Sequence, residues 1–68
     1  MRRLLRLPAV MELTGLSGRT VYRLVREDKF PQPIRMENPK VTAWVDEDVE
    51  NWIEGKIEKY RGVPRRYT

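Results

Sequence analysis

The stretch Thr14-Gly15-Leu16-Ser17 limits the folds open to this chain more than any other feature. Apolar residues approach it and leave it at helical spacing, yet glycine followed two positions later by serine marks the end of one helix and the start of another. Glycine accepts the left-handed backbone that closes a helix, and a serine hydroxyl accepts a backbone N–H left unpaired in a first turn. Pro8, favoured at the first helical position, opens the first segment, so the spacing predicts helices over residues 8–14 and about 18–28 with a minimal connection. Val10, Leu13 and Leu16 then supply the apolar surface on which Val21 and Leu24 close.

Downstream, Pro31 and Pro33 forbid helix and favour extended backbone. Ile34–Met36 and Val41–Val45 read as two short strands joined by a turn over Glu37–Lys40. Asp46 is placed to cap a third helix, with Glu47 and Asp48 at the positive end of its dipole. Val49, Trp52, Ile53, Ile57 and Tyr60 recur there at spacings of three and four, while Glu50, Glu54 and Glu58 fall on the other face. The expected architecture is α+β: two short N-terminal helices, a β-hairpin and a C-terminal amphipathic helix. A chain of 68 residues supports one such domain, assigned to residues 1–60, followed by a basic, flexible tail over 61–68.

Charge is segregated along this plan. Residues 1–40 hold nine Lys/Arg against four Asp/Glu, and residues 41–60 hold two against six. On a helical projection from Val21, the apolar Leu24 and Val25 flank zero, and Arg19, Arg23 and Arg26 share the opposite face with no acidic residue on their stripe; Thr20 and Tyr22 lie on its flanks. A solvated surface is the ordinary explanation of such a face. Two short helices across a tight turn, the second basic outside, are also the parts of a helix-turn-helix, whose second helix enters the DNA major groove. There a guanidinium can pair with guanine O6 and N7. Ser17 and the N–H groups beside it can hold a phosphate. Arg35 and Lys40 in the hairpin stand where a wing would meet the DNA backbone.

The set "LRLPAVMELTGLSGRTVYRLVREDKFPQPIR" followed by "AWVDEDVENWI" resembles the AlpA-type prophage regulators, small relatives of excisionases and MerR-like winged-helix proteins, over roughly residues 4–53. The resemblance implies a winged helix-turn-helix that binds double-stranded DNA, as a transcriptional regulator of phage or mobile-element genes or as an excisionase-like recombination directionality factor. It implies contacts from Ser17, Arg19, Thr20, Tyr22 and Arg23, joined by Arg26 on the same face, and wing contacts from Arg35, Asn38 and Lys40. The chain departs from the pattern at Gly18, where a basic or polar residue is frequent, which implies one contact fewer. The wing turn "MENPK" is also longer and more acidic than the Gly-Pro turn of relatives.

No Cys or His is present, which removes disulfides and the commonest metal ligands and neutral-pH bases. No nucleophile–base pair or Gly-rich phosphate loop appears, so neither an enzyme nor a cofactor is expected, and the acidic face of the third helix reads as solvated. Arg6 and Pro8 interrupt the opening leucines short of a signal peptide, and no apolar run would cross a bilayer; the expected setting is cytoplasmic. Trp44 and Trp52 are expected in the core, Trp44 on the inward face of its strand. An integrase or RNA polymerase as further partners, self-association on DNA, and DNA contacts by the terminal arginines stay open. So does an adaptor that docks an acidic protein with DNA binding incidental.

Overall fold

The computed structural model describes residues 2–61. The elements run β1 (Leu4–Leu5), α1 (Leu7–Thr14), α2 (Gly18–Arg26), β2 (Ile34–Glu37), β3 (Lys40–Val45) and α3 (Asp46–Arg61). The α+β architecture expected from the sequence is the one observed, with one addition: β1 makes the hairpin a three-stranded antiparallel sheet of order β1-β3-β2. Leu4 pairs with Val45 and Leu5 with Trp44. β2 pairs with β3 from Ile34↔Ala43 to Glu37↔Lys40, which leaves Asn38 and Pro39 as the turn.

The core lies where the two N-terminal helices, the sheet and the start of α3 meet. Val10, Val21, Trp44 and Val49 are fully buried, with Leu5, Val25 and Phe30 almost so. Trp44 is the inward aromatic of β3, as expected. Leu13, expected to close against α2, is instead half exposed; Leu16 packs against the core as expected, joined by Leu7 and Ala9. The segment between α2 and β2 contains two prolines and no ladder, so its carbonyls need other donors. The indole N–H of Trp44 donates to the Pro31 carbonyl at 3.0 Å and that of Trp52 to the Lys29 carbonyl at 2.9 Å. Phe30 sits between the two indoles, with ring centroids 6.5 Å from Trp44 and 4.8 Å from Trp52.

Asp46, the one buried charged residue among those described, fastens β1 to α3. Its Oδ1 accepts the Arg3 backbone N–H at 3.0 Å and the Glu47 N–H at 2.8 Å, and Asp46 N–H in turn donates to the Arg3 carbonyl. The Arg3 N–H, foremost, holds this carboxyl below the ordinary aspartate value, against the opposing effect of burial. Asp46, expected just before the helix as its cap, is instead the first residue of α3, and its carboxylate takes up one N–H of that first turn and one from the strand side. α3 continues through Arg61, one residue beyond the boundary expected at 60; the rest of the 61–68 tail lies outside the described residues.

Candidate nucleic-acid interface

α2 is held by conventional chemistry at its start and by an unconventional residue at its end. Gly15 adopts φ 75°, the left-handed conformation that ends α1, with its N–H on the Met11 carbonyl. Ser17, extended at φ −74°, caps α2: its Oγ accepts the Thr20 N–H at 3.2 Å, while its hydroxyl donates to Thr20 Oγ1 at 3.0 Å. The helix stops at Arg26, two residues before the expected limit. There Asp28 takes φ 62°, with its N–H on the Val25 carbonyl and the Lys29 N–H on the Leu24 carbonyl. That pair of bonds is the Schellman closure, made with aspartate where glycine is usual.

Between those stops Val21 and Val25 are buried, and the same helix turns Arg19, Arg23 and Arg26 to solvent. Nine residues suffice because α1 lies so close: a Cβ at Gly18 would stand 3.1 Å from Leu7 Cδ2 and 3.6 Å from Met11 Sδ. Position 18 thus faces α1, where the absence of a side chain eases the approach of the two helices.

The remaining candidates differ in their freedom. Ser17 is exposed but engaged with Thr20, which is half-buried, so the Thr20 N–H is already taken and is not free for an anion. Tyr22 lies against Trp44, ring centroids 5.9 Å apart, and this contact ties the flank of α2 to the sheet. Arg23 Nε is 3.9 Å from Glu27 Oε2, so the basic stripe does have an acidic neighbour, contrary to the reading from helical projection. The i, i+4 spacing of those two residues was the available signal.

In the sheet, alternate residues share a face. Arg35 stands opposite Thr42, on the side of the sheet that carries Trp44, and Lys40 lies on that side too, with Glu37 directly across from it. Arg35, Asn38 and Lys40 are exposed. The Tyr22–Trp44 contact joins one flank of α2 to the side of the sheet on which Arg35 and Lys40 lie. Sequence reasoning missed a further cationic set: Lys29 after α2, and Lys56 and Lys59 on the aromatic edge of α3, where their spacing from Trp52 and Tyr60 was legible.

Among the described residues no group of three or more His, Cys, Asp or Glu is arranged to hold a metal ion. No helix among them is long and apolar enough to cross a membrane.

The family model described as prophage CP4-57 regulatory protein (AlpA) matches residues 3–57. The chain is 42% identical over 55 residues to the uncharacterized protein ORF88 of Enterobacteria phage P4, covering 81% of this chain and 61% of that protein. It is 32% identical over 57 residues to the DNA-binding transcriptional activator AlpA of Escherichia coli (strain K12), covering 75% of this chain and 80% of that protein. The match therefore spans about three fifths of the phage relative's length. No solved structure matches.

Proposed function

The chain belongs to the AlpA family of prophage regulatory proteins, and from that membership we propose that it is a DNA-binding transcriptional regulator of phage or mobile-element genes, reading the major groove with α2 and gripping the backbone with the β2–β3 hairpin. Its work is positional: it recognises a site and occupies it. The observation that carries this reading is the disposition of α2, whose valines are buried against α1 and the sheet while Arg19, Arg23 and Arg26 stand in solvent on the other side. A helix fixed by its apolar face presents guanidinium groups in a set order, as base-edge pairing requires.

The residues divide by task. Arg19, Arg23 and Arg26, with Thr20 and Tyr22 beside them, face the groove; Arg35, Asn38 and Lys40 face phosphates. Ser17 acts by holding the start of α2 and Thr20 in place. One nine-residue helix spans few base pairs, so two copies or a second protein on the DNA complete the specificity.

The test is selection of bound fragments from genomic DNA, followed by titration of the selected duplex. Arg19→Ala or Arg23→Ala is expected to weaken binding to the selected site by about 1–3 kcal/mol and to relax its sequence preference. Unchanged affinity in both variants removes α2 from the interface. Binding that ignores sequence and vanishes near physiological salt favours the adaptor reading.

A further inference from the structure

The flank of α2 away from the hairpin carries its own arrangement of cations. Tyr22 marks one side of the helix, against Trp44; Leu24 lies on the other, where it shares a groove with Lys29, Trp52, Lys56, Lys59 and Tyr60. Lys56 Nζ lies 5.3 Å from the Trp52 ring centroid and 5.9 Å from that of Tyr60, and Lys59 Nζ lies 5.3 Å from Tyr60. Contact with the rings orders both lysine stems along the groove while their ammonium groups stay within reach of solvent. Glu50, Glu54 and Glu58 project from the other side of α3, which leaves Asp48 as the acidic residue of that helix on the same face as the lysines.

One carboxylate on this flank, Glu27, is already paired. Glu27 lies 3.9 Å from Arg23 through Oε2 and 3.7 Å from Lys29 through Oε1. Arg23, Glu27 and Lys29 thus form a chain of charge from the outer face of α2 toward the groove, with two cations to one anion. Asp28 and Asp48 line the adjoining wider depression together with Lys29, Trp52, Lys56 and Lys59, so this edge carries two further carboxylates beside its three lysines.

We infer that the Lys56–Lys59 edge of α3, with Lys29, is a second backbone clamp that holds DNA phosphates on the side of α2 opposite the wing. This inference rests on the reading of α2 as the groove-entering helix. It adds a sequence-independent contact: ammonium groups neutralise phosphates, release counterions and fix the protein's register on the duplex, with no base identity read. Wing and α3 edge together would hold the recognition helix from both sides.

The experiment compares the full chain with the double variant Lys56→Gln/Lys59→Gln. The probes are a duplex carrying the selected site with long flanks and a random-sequence duplex of equal length. Each lost phosphate contact should lower the slope of log affinity against log salt by about 0.9, so the parent should lose roughly tenfold more affinity than the variant between 50 and 200 mM salt, on both duplexes alike. Lys56→Arg/Lys59→Arg should keep the parent slope.

Phosphate-ethylation interference with the unaltered protein gives an independent measure, and blocked phosphates are expected on the side away from the wing. A double variant that keeps the parent slope while Arg19→Ala still abolishes site preference overturns the clamp and leaves the α2 reading standing, with the edge free for an acidic protein. A loss confined to the selected site also overturns it, because a backbone contact cannot know the sequence. If neither the α2 nor the α3 variants change binding, the α2 reading fails first and the clamp with it.

Discussion

Helices α2 and α3 both start with an oxygen-bearing side chain over their first turn, yet they are stabilised in opposite ways. α2 has nine residues, a Ser17 cap, a Schellman closure and two buried valines, so the surrounding structure defines it along its whole length. α3 has sixteen residues and is packed mainly through its first half, by Asp46, Val49, Trp52 and Ile53. Further on, Ile57 is 37% and Tyr60 55% exposed, although the apolar spacing predicts that both face the core. There the helix relies on its own sequence: Asp46, Glu47 and Asp48 at the positive end of its dipole, Lys59 and Arg61 at the negative end. A short helix that must aim its side chains is pinned by its neighbours, while a long one can extend from a small anchorage.

Phe30 is where the two modes of support meet, and removing it should have the largest effect. Its ring is 4% exposed and touches the indoles of Trp44 and Trp52, which belong to the sheet and to α3. Phe30→Ala removes this joint and leaves a cavity; the expected cost is about 3–5 kcal/mol, seen as a lower midpoint in urea. A much smaller loss would mean that α3 and the helix pair are not coupled through this ring.

The two helix stops of the N-terminal half give a test of opposite sign. At Gly15 nothing lies within 4 Å of an added Cβ, so Gly15→Ala meets no clash and reports only the strain of a left-handed alanine, about 1–2 kcal/mol of destabilisation. Asp28 occupies the same backbone region at φ 62° with a side chain present. Asp28→Gly relieves that strain and should raise stability by up to about 1 kcal/mol, since aspartate tolerates the conformation better than most residues do and glycine adds freedom to the unfolded chain. Thermal melts of both variants check the pair. Destabilisation by Asp28→Gly would show that the aspartate side chain contributes more than its backbone strain.

These stops also show what could be read from the sequence. Gly15, Ser17, the two prolines and Asp46 mark boundaries through chemistry local to themselves, and the elements they delimit appear where expected. The end of α2 was misplaced because aspartate carries no strong signal for a left-handed residue. β1 was missed because two leucines become a strand only by pairing with Val45 and Trp44, some forty positions along the chain. Of the site, the arginine face follows from helical spacing alone. The Tyr22–Trp44 contact and the position of the α3 lysines beside Leu24 depend on tertiary packing, and Gly18 acquires its meaning only from Leu7 and Met11 across the helix pair.

The smallest effect is expected where the apolar stripe of α3 leaves the core. Ile57 has more than a third of its surface in water, and truncating it opens no enclosed space, so the cavity penalty that makes buried deletions costly does not arise. Alanine is the better helix former, by a few tenths of a kcal/mol, which offsets part of the lost contact. Ile57→Ala should therefore shift stability by less than about 0.5 kcal/mol in a monomer, read from urea unfolding at low protein concentration. The contrast with Phe30→Ala would then locate the anchorage of α3 in its first half, because the same kind of truncation is felt only where the helix is enclosed. A loss above about 2 kcal/mol, or one that grows with protein concentration, would mean that the second half of α3 is covered after all and that the two helices are supported in the same way.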